Sequence, residues 1–195
     1  MPLPRLKTFG CSALAILMLA AGCRKSPIEP PRLDPVDPAT VLFVDDFDAE
    51  NGGAGRFNYT AFANWNVQDG CVDLHGNGFI DVQPGKGLYV DLDGTCKPSK
   101  AGTMETKAAF SLDPGSYVLE FWLAGNQRIP SPDTVLVSLG DLHQEQIVLT
   151  RDEPFRLFTR NLTVSTPTTA RLRFRNLGGD DQGALLDLVR LRRAN

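Results

Sequence analysis

Three groups of side chains in this chain could do chemistry. Asp46 and Asp48 stand close together in Val44-Asp45-Asp46-Phe47-Asp48, and Asp187 stands alone among apolar residues in Leu185-Leu186-Asp187-Leu188-Val189. Carboxylates offer hard oxygen donors, and one buried among apolar neighbours is costly unless something pairs with it. Read as a strand, the last segment puts Asp187 on the face of Leu185 and Val189, which makes it the strongest single candidate for a ligand. The second group is Asn126-Gln127-Arg128, directly after an apolar run, with Asp180 and Gln182 in the Gly-rich turn Gly178-Gly179-Asp180-Asp181-Gln182-Gly183. Amides, guanidinium and carboxylate present paired donors and acceptors in planes, which suits sugar hydroxyls. Trp122 points opposite to Phe121 and Leu123 and could offer a ring for a sugar to stack on. The third group is Arg171, Arg173 and Arg175, which alternate with Leu172 and Phe174 and so line one face of a strand.

Each group also has a plainer reading. Loop amides and carboxylates commonly satisfy backbone groups, Trp122 could pack in a second layer, and the arginines could pair with acids on a neighbouring strand. An anionic-ligand surface is the sharper reading of those arginines.

Several function classes are disfavoured. The two histidines, His75 and His143, lie 68 positions apart, leaving little basis for a His-based zinc site or a Ser-His or Cys-His catalytic system. No Gly-x-Ser-x-Gly, phosphate loop or HExxH occurs. A formal net charge of −3 is a poor match for nucleic acid, whose binders need a basic field. The chain is therefore expected to be no enzyme. A glycosidase, which needs two suitably spaced carboxylates and nothing more, stays as a third reading.

The elements that must position these groups read as strands. Val41-Leu42-Phe43-Val44 opens the pattern, and Gly87-Leu88-Tyr89-Val90-Asp91-Leu92 runs into the turn Asp93-Gly94. Residues 103–112 alternate, with Met104, Thr106, Ala108 and Phe110 on one face; after Pro114-Gly115, Tyr117, Leu119, Phe121 and Leu123 share another. Further runs cover 134–139, 146–150, 155–164, 170–174 and 184–192. Period-two alternation with frequent turn signals predicts an all-β chain, a jelly-roll β-sandwich of about ten strands. Cys71 and Cys96 remain as spare thiols in an exported chain and are expected to pair, the alternative being two free thiols; a bond closing about 25 residues is worth ~3 kcal/mol.

The export reading comes from the first residues. Arg5 and Lys7 precede an apolar run from Phe9 to Gly22, which is shorter than the roughly 20 residues a spanning helix needs. It ends in Leu19-Ala20-Ala21-Gly22-Cys23 and resembles a bacterial lipobox, with Ala20 where Leu is usual. Residues 1–22 are thus expected to be a lipoprotein signal peptide, and Cys23 the lipidated residue. Palmitate-type acyl chains on Cys23 would hold the chain in a membrane durably. Arg24 follows Cys23 in place of the Asp that retains such proteins at the inner membrane, so the outer membrane, on its periplasmic or cell-surface face, is the expected location. Five prolines between Arg24 and Thr40 make 23–40 a Pro-rich linker, and 41–193 is the β-sandwich domain.

The segments Asn64-Trp65-Asn66-Val67, Val72-Asp73-Leu74-His75-Gly76-Asn77-Gly78-Phe79 and Gly87–Gly94 resemble a family of exported bacterial β-sandwich domains often found with the PEP-CTERM sorting signal. The likeness continues through Phe110-Ser111-Leu112, Leu123–Arg128 and Gly178–Asp187. The stretch up to Asn195 has no Pro-Glu-Pro motif, so the lipobox is expected to take that anchor's place. The resemblance implies a galactose-binding-like jelly roll, similar to carbohydrate-binding modules. Sandwiches of this type often hold a structural Ca²⁺ between the first and last strands, which here implies Asp46, Asp48 and Asp187. The expected function is that of an exported, lipid-anchored, non-catalytic binding module for carbohydrate or exopolysaccharide. The rival expectation is a structural or protein-interaction domain of the cell envelope without a sugar site.

Overall fold

The computed structural model describes residues 32–194, so the expected signal peptide, Cys23 and the first part of the linker lie outside the described residues. The alternating segments form thirteen strands among the described residues. They are β1 (Val41–Asp45), β2 (Trp65–Gln68), β3 (Asp73–Gly76), β4 (Leu88–Asp91), β5 (Thr103–Thr106), β6 (Phe110–Leu112) and β7 (Gly115–Ala124), followed by β8 (Asp133–Leu139), β9 (His143–Leu149), β10 (Arg156–Val164), β11 (Thr168–Ala170), β12 (Leu172–Asn176) and β13 (Leu185–Arg193). One sheet runs β10-β7-β13-β4-β3, with β1 and β4 end to end along the same side of β13. A second sheet runs β2-β5-β12-β8-β9, and β6 pairs separately with β11. All these ladders are antiparallel, so each sheet can bury one face and leave the other polar.

The buried faces meet in one core. Leu119, Phe121 and Leu123 of β7 and Leu186, Val189 and Leu191 of β13 face Leu172 and Phe174 of β12 and Val135, Val137 and Leu139 of β8. Phe174 is its aromatic centre, edge-on to Phe121 at 5.2 Å and to Trp65 at 5.9 Å. Such edge contacts suit the ring quadrupole.

The disulfide forms between Cys71 and Cys96, Cα atoms 6.1 Å apart. It ties the 92–102 segment to the start of β3, where Cys71 N also donates to Lys100 O at 3.0 Å.

Two expectations change. The expected continuous strand over 103–112 breaks at Lys107-Ala108-Ala109, sending β5 into the five-stranded sheet and β6 to β11. A bulge in β13, with Leu188 at φ 46°, shifts the register between Asp187 and Arg190. It leaves Asp187 on the outer face and turns Val189 into the core, so the two do not share a face. The linker also docks before residue 40: Arg190 Nη1 donates to Asp34 O at 2.8 Å, and Asp37 caps a 3-10 turn over Pro38–Thr40.

Candidate ligand-binding surfaces

The loop after β7 uses up three of the six side chains expected to meet a sugar. Asn126 is fully buried: Nδ2 donates to Asp133 Oδ2 at 2.9 Å, and Oδ1 accepts the amides of Arg128 and Ile129 at 2.7 and 2.8 Å. Gln127 sits at φ 61°, and its Nε2 donates to the carbonyls of Gly125, Arg151 and Glu153. Arg128 Nη2 pairs with Asp91, a fully buried carboxylate that also accepts the amides of Asp93 and Gly183. Asp180 is exposed, with its amide on Asp93 Oδ2 at 3.0 Å, and Gln182 is half-buried. The physical reason is the end of the β-ladder: chain leaving a strand has free amides and carbonyls, and the nearest polar side chains satisfy them. In this geometry Asn126 and Gln127 hold the loop together.

Trp122 does point away from the core, as expected. It packs half-buried with Val82, Tyr89, Ala124, Phe155 and Leu185 on the outer face of the β7/β13 sheet, and its Nε1 is buried without a partner. It lies opposite Asp187 in the ladder, apart from Asn126 inside its loop. The expected residues therefore do not converge on one open groove.

Under the same outer layer sits His75, fully buried, with Nε2 3.9 Å from Asp73 Oδ2 and neither ring nitrogen hydrogen-bonded. Burial pushes its pKa down to about 3, and the Arg128 charge adds to the shift, so the ring stays neutral.

The acidic group does come together. Asp187 is 2% exposed and accepts one hydrogen bond, from the Leu188 amide at 2.7 Å. Burial pushes its carboxyl well above the usual range; the charges of Asp48 and Asp46 push it further and Lys86 opposes them. Asp48 Oδ1 accepts the Leu88 amide at 2.7 Å, and the backbone of Gly87 passes so close to Asp48 that no Cβ would fit there. Phe47 and Leu188, adjoining these acids, both have positive φ, at 59° and 46°. Backbone held in that region by a non-glycine residue costs energy and tends to mark functional sites. Among the described residues no group of three Asp, Glu, His or Cys is placed to hold a metal ion. A hard cation at Asp187, Asp46 and Asp48 would therefore need most of its oxygen donors from backbone carbonyls and water.

A second candidate surface is the outer face of the five-stranded sheet. Register builds it in two rows: Asn66, Glu105, Arg173, Ser138 and Gln144 lie across the strands in one, and Gln68, Thr103, Arg175, Leu136 and Gln146 in the next. A groove of about 450 Å³ crosses this face, with Arg171, Arg173 and Arg175 in its wall and Thr103, Ser138 and Gln144 beside them. Glu105 pairs with Arg173, as the plainer reading of the arginines expects. The sequence reading had the arginines on one face but missed the flanking amides and hydroxyls. Their signal is present as polar alternation in Asn66-Val67-Gln68 and as the polar run Gln144-Glu145-Gln146, but nothing local says which strands lie side by side.

No known protein family and no curated protein matches the sequence. Among solved structures the chain is similar to the K3 cleaved adhesin domain of Lys-gingipain from Porphyromonas gingivalis, at 17% identity and a TM-score of 0.53, covering 79% of this chain and 99% of that one. The K1 adhesin domain of the same protein gives 17% identity and 0.51, covering 78% and 98%. A carbohydrate-binding module, TmCBM61, solved with β-1,4-galactotriose, gives 16% identity and 0.48, covering 71% and 99%. At such identities the likeness is one of fold, and the fold is a jelly-roll β-sandwich.

Proposed function

We propose that this chain is a non-catalytic binding module for carbohydrate or exopolysaccharide, exported and held at the outer membrane by a lipid on Cys23. The observation that carries the reading is the groove across the five-stranded sheet. Two ladder rows set planar amides, guanidinium groups and hydroxyls side by side on a rigid surface. A sugar's hydroxyls need donors and acceptors held at fixed spacing, and a sheet supplies that with little ordering cost. The likeness in fold to adhesin domains supports a role in binding. A structural Ca²⁺ at Asp187, Asp46 and Asp48 would serve this module by pinning β1 to β13.

A glycan array probed with the purified protein tests the proposal. Retention should fall at least tenfold on replacing Arg173 and Gln144 together by Ala, and should survive Trp122→Ala on the opposite sheet. A folded protein that retains no glycan favours the rival, a structural or protein-interaction domain of the envelope. Retention lost with Trp122→Ala alone would move the site to the other face.

A further inference from the structure

Arg171, just before β12, and Arg173 and Arg175 within it are held differently. Glu105 on β5 takes Arg173 in an ion pair and stands 3.8 Å from Arg171 Nε, while Arg171 Nη1 donates to the carbonyls of Thr106 and Lys107. Arg175, opposite Thr103 in the ladder and exposed, makes no ion pair among the described residues. One carboxylate therefore serves two guanidinium groups, and a third guanidinium stands in the groove wall with no acid paired to it among the described residues. The charge reverses toward the groove's ends. Asp69, which accepts from Thr103 Oγ1 at 3.2 Å, lies by the Arg175 end; Asp141, in the turn between β8 and β9, lies by the Arg171 end.

We infer that the ligand of this face is a heteropolysaccharide in which a uronate alternates with neutral sugars, its carboxylate received by Arg175 beside Arg173. The inference rests on the glycan face proposed above and names the class of glycan. Arginine's planar fork matches a carboxylate with two parallel hydrogen bonds, and a neighbouring cation strengthens them. Asp69 and Asp141 accept hydrogen bonds from hydroxyls but repel anions. A continuous polyanion such as nucleic acid or a polysulfate would meet like charge at both ends of the groove. A chain with one anionic sugar between neutral ones meets the unpaired Arg175 at that sugar and hydroxyl acceptors along the rest of the groove. Ser138, Gln144 and Gln146 then lie beside the seated uronate for its own hydroxyls.

Affinity electrophoresis of the full protein tests this with xanthan, gellan and hyaluronan, each with its carboxyl-reduced form, and with dextran and dextran sulfate. At least one uronate polysaccharide should retard the protein, and carboxyl reduction should weaken that retention about tenfold or more, the scale of a lost charged hydrogen bond. Arg175→Gln should cause the same loss on the native polymer, change nothing on the reduced one, and be partly rescued by Arg175→Lys. Melting curves identify any variant that fails to fold; Arg175 is exposed, so its substitution should leave melting unchanged. Equal retention by native and reduced polymers overturns the uronate while leaving the glycan face standing. Dextran sulfate bound as tightly as the uronate polymers overturns it as well, since any polyanion would then suffice. Retention by none of the glycans removes both readings.

Discussion

Replacing Arg128 by Ala should cost the protein stability, and any weakening of recognition should follow from that loss. Arg128 Nη2 is the cationic partner of Asp91, which has no exposed surface and otherwise accepts the amides of Asp93 at 3.0 Å and Gly183 at 2.7 Å. Burial pushes the Asp91 carboxyl well above the usual range, and Arg128 is the largest influence pulling it back. Removing one member of a buried pair costs about 3–5 kcal/mol. The Arg128 side chain is 24% exposed, which places the expected loss near the lower end, about 3 kcal/mol. With a urea slope of about 2 kcal/mol/M, the unfolding midpoint falls by roughly 1.5 M. The pH dependence has a definite sign. A carboxyl whose folded pKa is raised binds its proton more readily folded than unfolded, so stability is lost as pH rises from about 3.9 through the raised value. Without Arg128 that value rises further, and the deficit is larger at pH 7.5 than at pH 5. Urea titrations at both values, followed by tryptophan fluorescence, give the comparison. The double variant Asp91→Asn with Arg128→Met should recover most of the loss, because it leaves no charge unpaired. A single variant that keeps its midpoint within about 0.3 M of the parent, against the shift expected from the urea slope, yet loses its glycan, would return Arg128 to the ligand site and refute the reasoning.

Three further outcomes are expected. Cys71→Ser with Cys96→Ser should lower stability by about 3 kcal/mol, the chain entropy of the loop the bond closes; denaturant unfolding unchanged from the parent would mean that the bond constrains nothing. Saturating Ca²⁺ should raise the melting temperature and EDTA lower it, by about 5–10 °C for an ion about a hundredfold above its Kd. Asp187→Asn should erase that difference, and a melting temperature indifferent to both reagents removes the cation. His75, pushed down to about 3 by burial, takes up its proton more readily unfolded than folded, so its contribution is complete above about 6.5 and is lost as pH falls toward 3. His75→Phe should flatten that acid limb, and parallel stability curves for parent and variant between pH 6.5 and 4 would sink the idea.

The side chains that could be read correctly from sequence are those whose role depends on their own strand. Trp122 opposite Phe121 and Leu123, and Arg171, Arg173 and Arg175 on one face, follow from alternation and hold in the structure. Asp187 is buried as expected, but it does not share a face with Val189: the bulge at Leu188 turns the two apart, and nothing local announces that bulge. Asn126 and Gln127 illustrate a different limit. Their types suit a sugar equally well as a loop, and the choice falls to carbonyls and amides of Arg151, Glu153 and Ile129 that folding brings to them.

By itself the sequence determined that apolar residues would alternate into strands, that two sheets would stack, and that Cys71 and Cys96 were available to pair. Each of these follows from short-range pattern or from residue counts. The tertiary structure alone decided which strands are neighbours, and hence that Asn66, Glu105, Arg173, Ser138 and Gln144 form one row. Strand order and register are set by the summed burial and pairing of whole sheets, a quantity that no single segment contains.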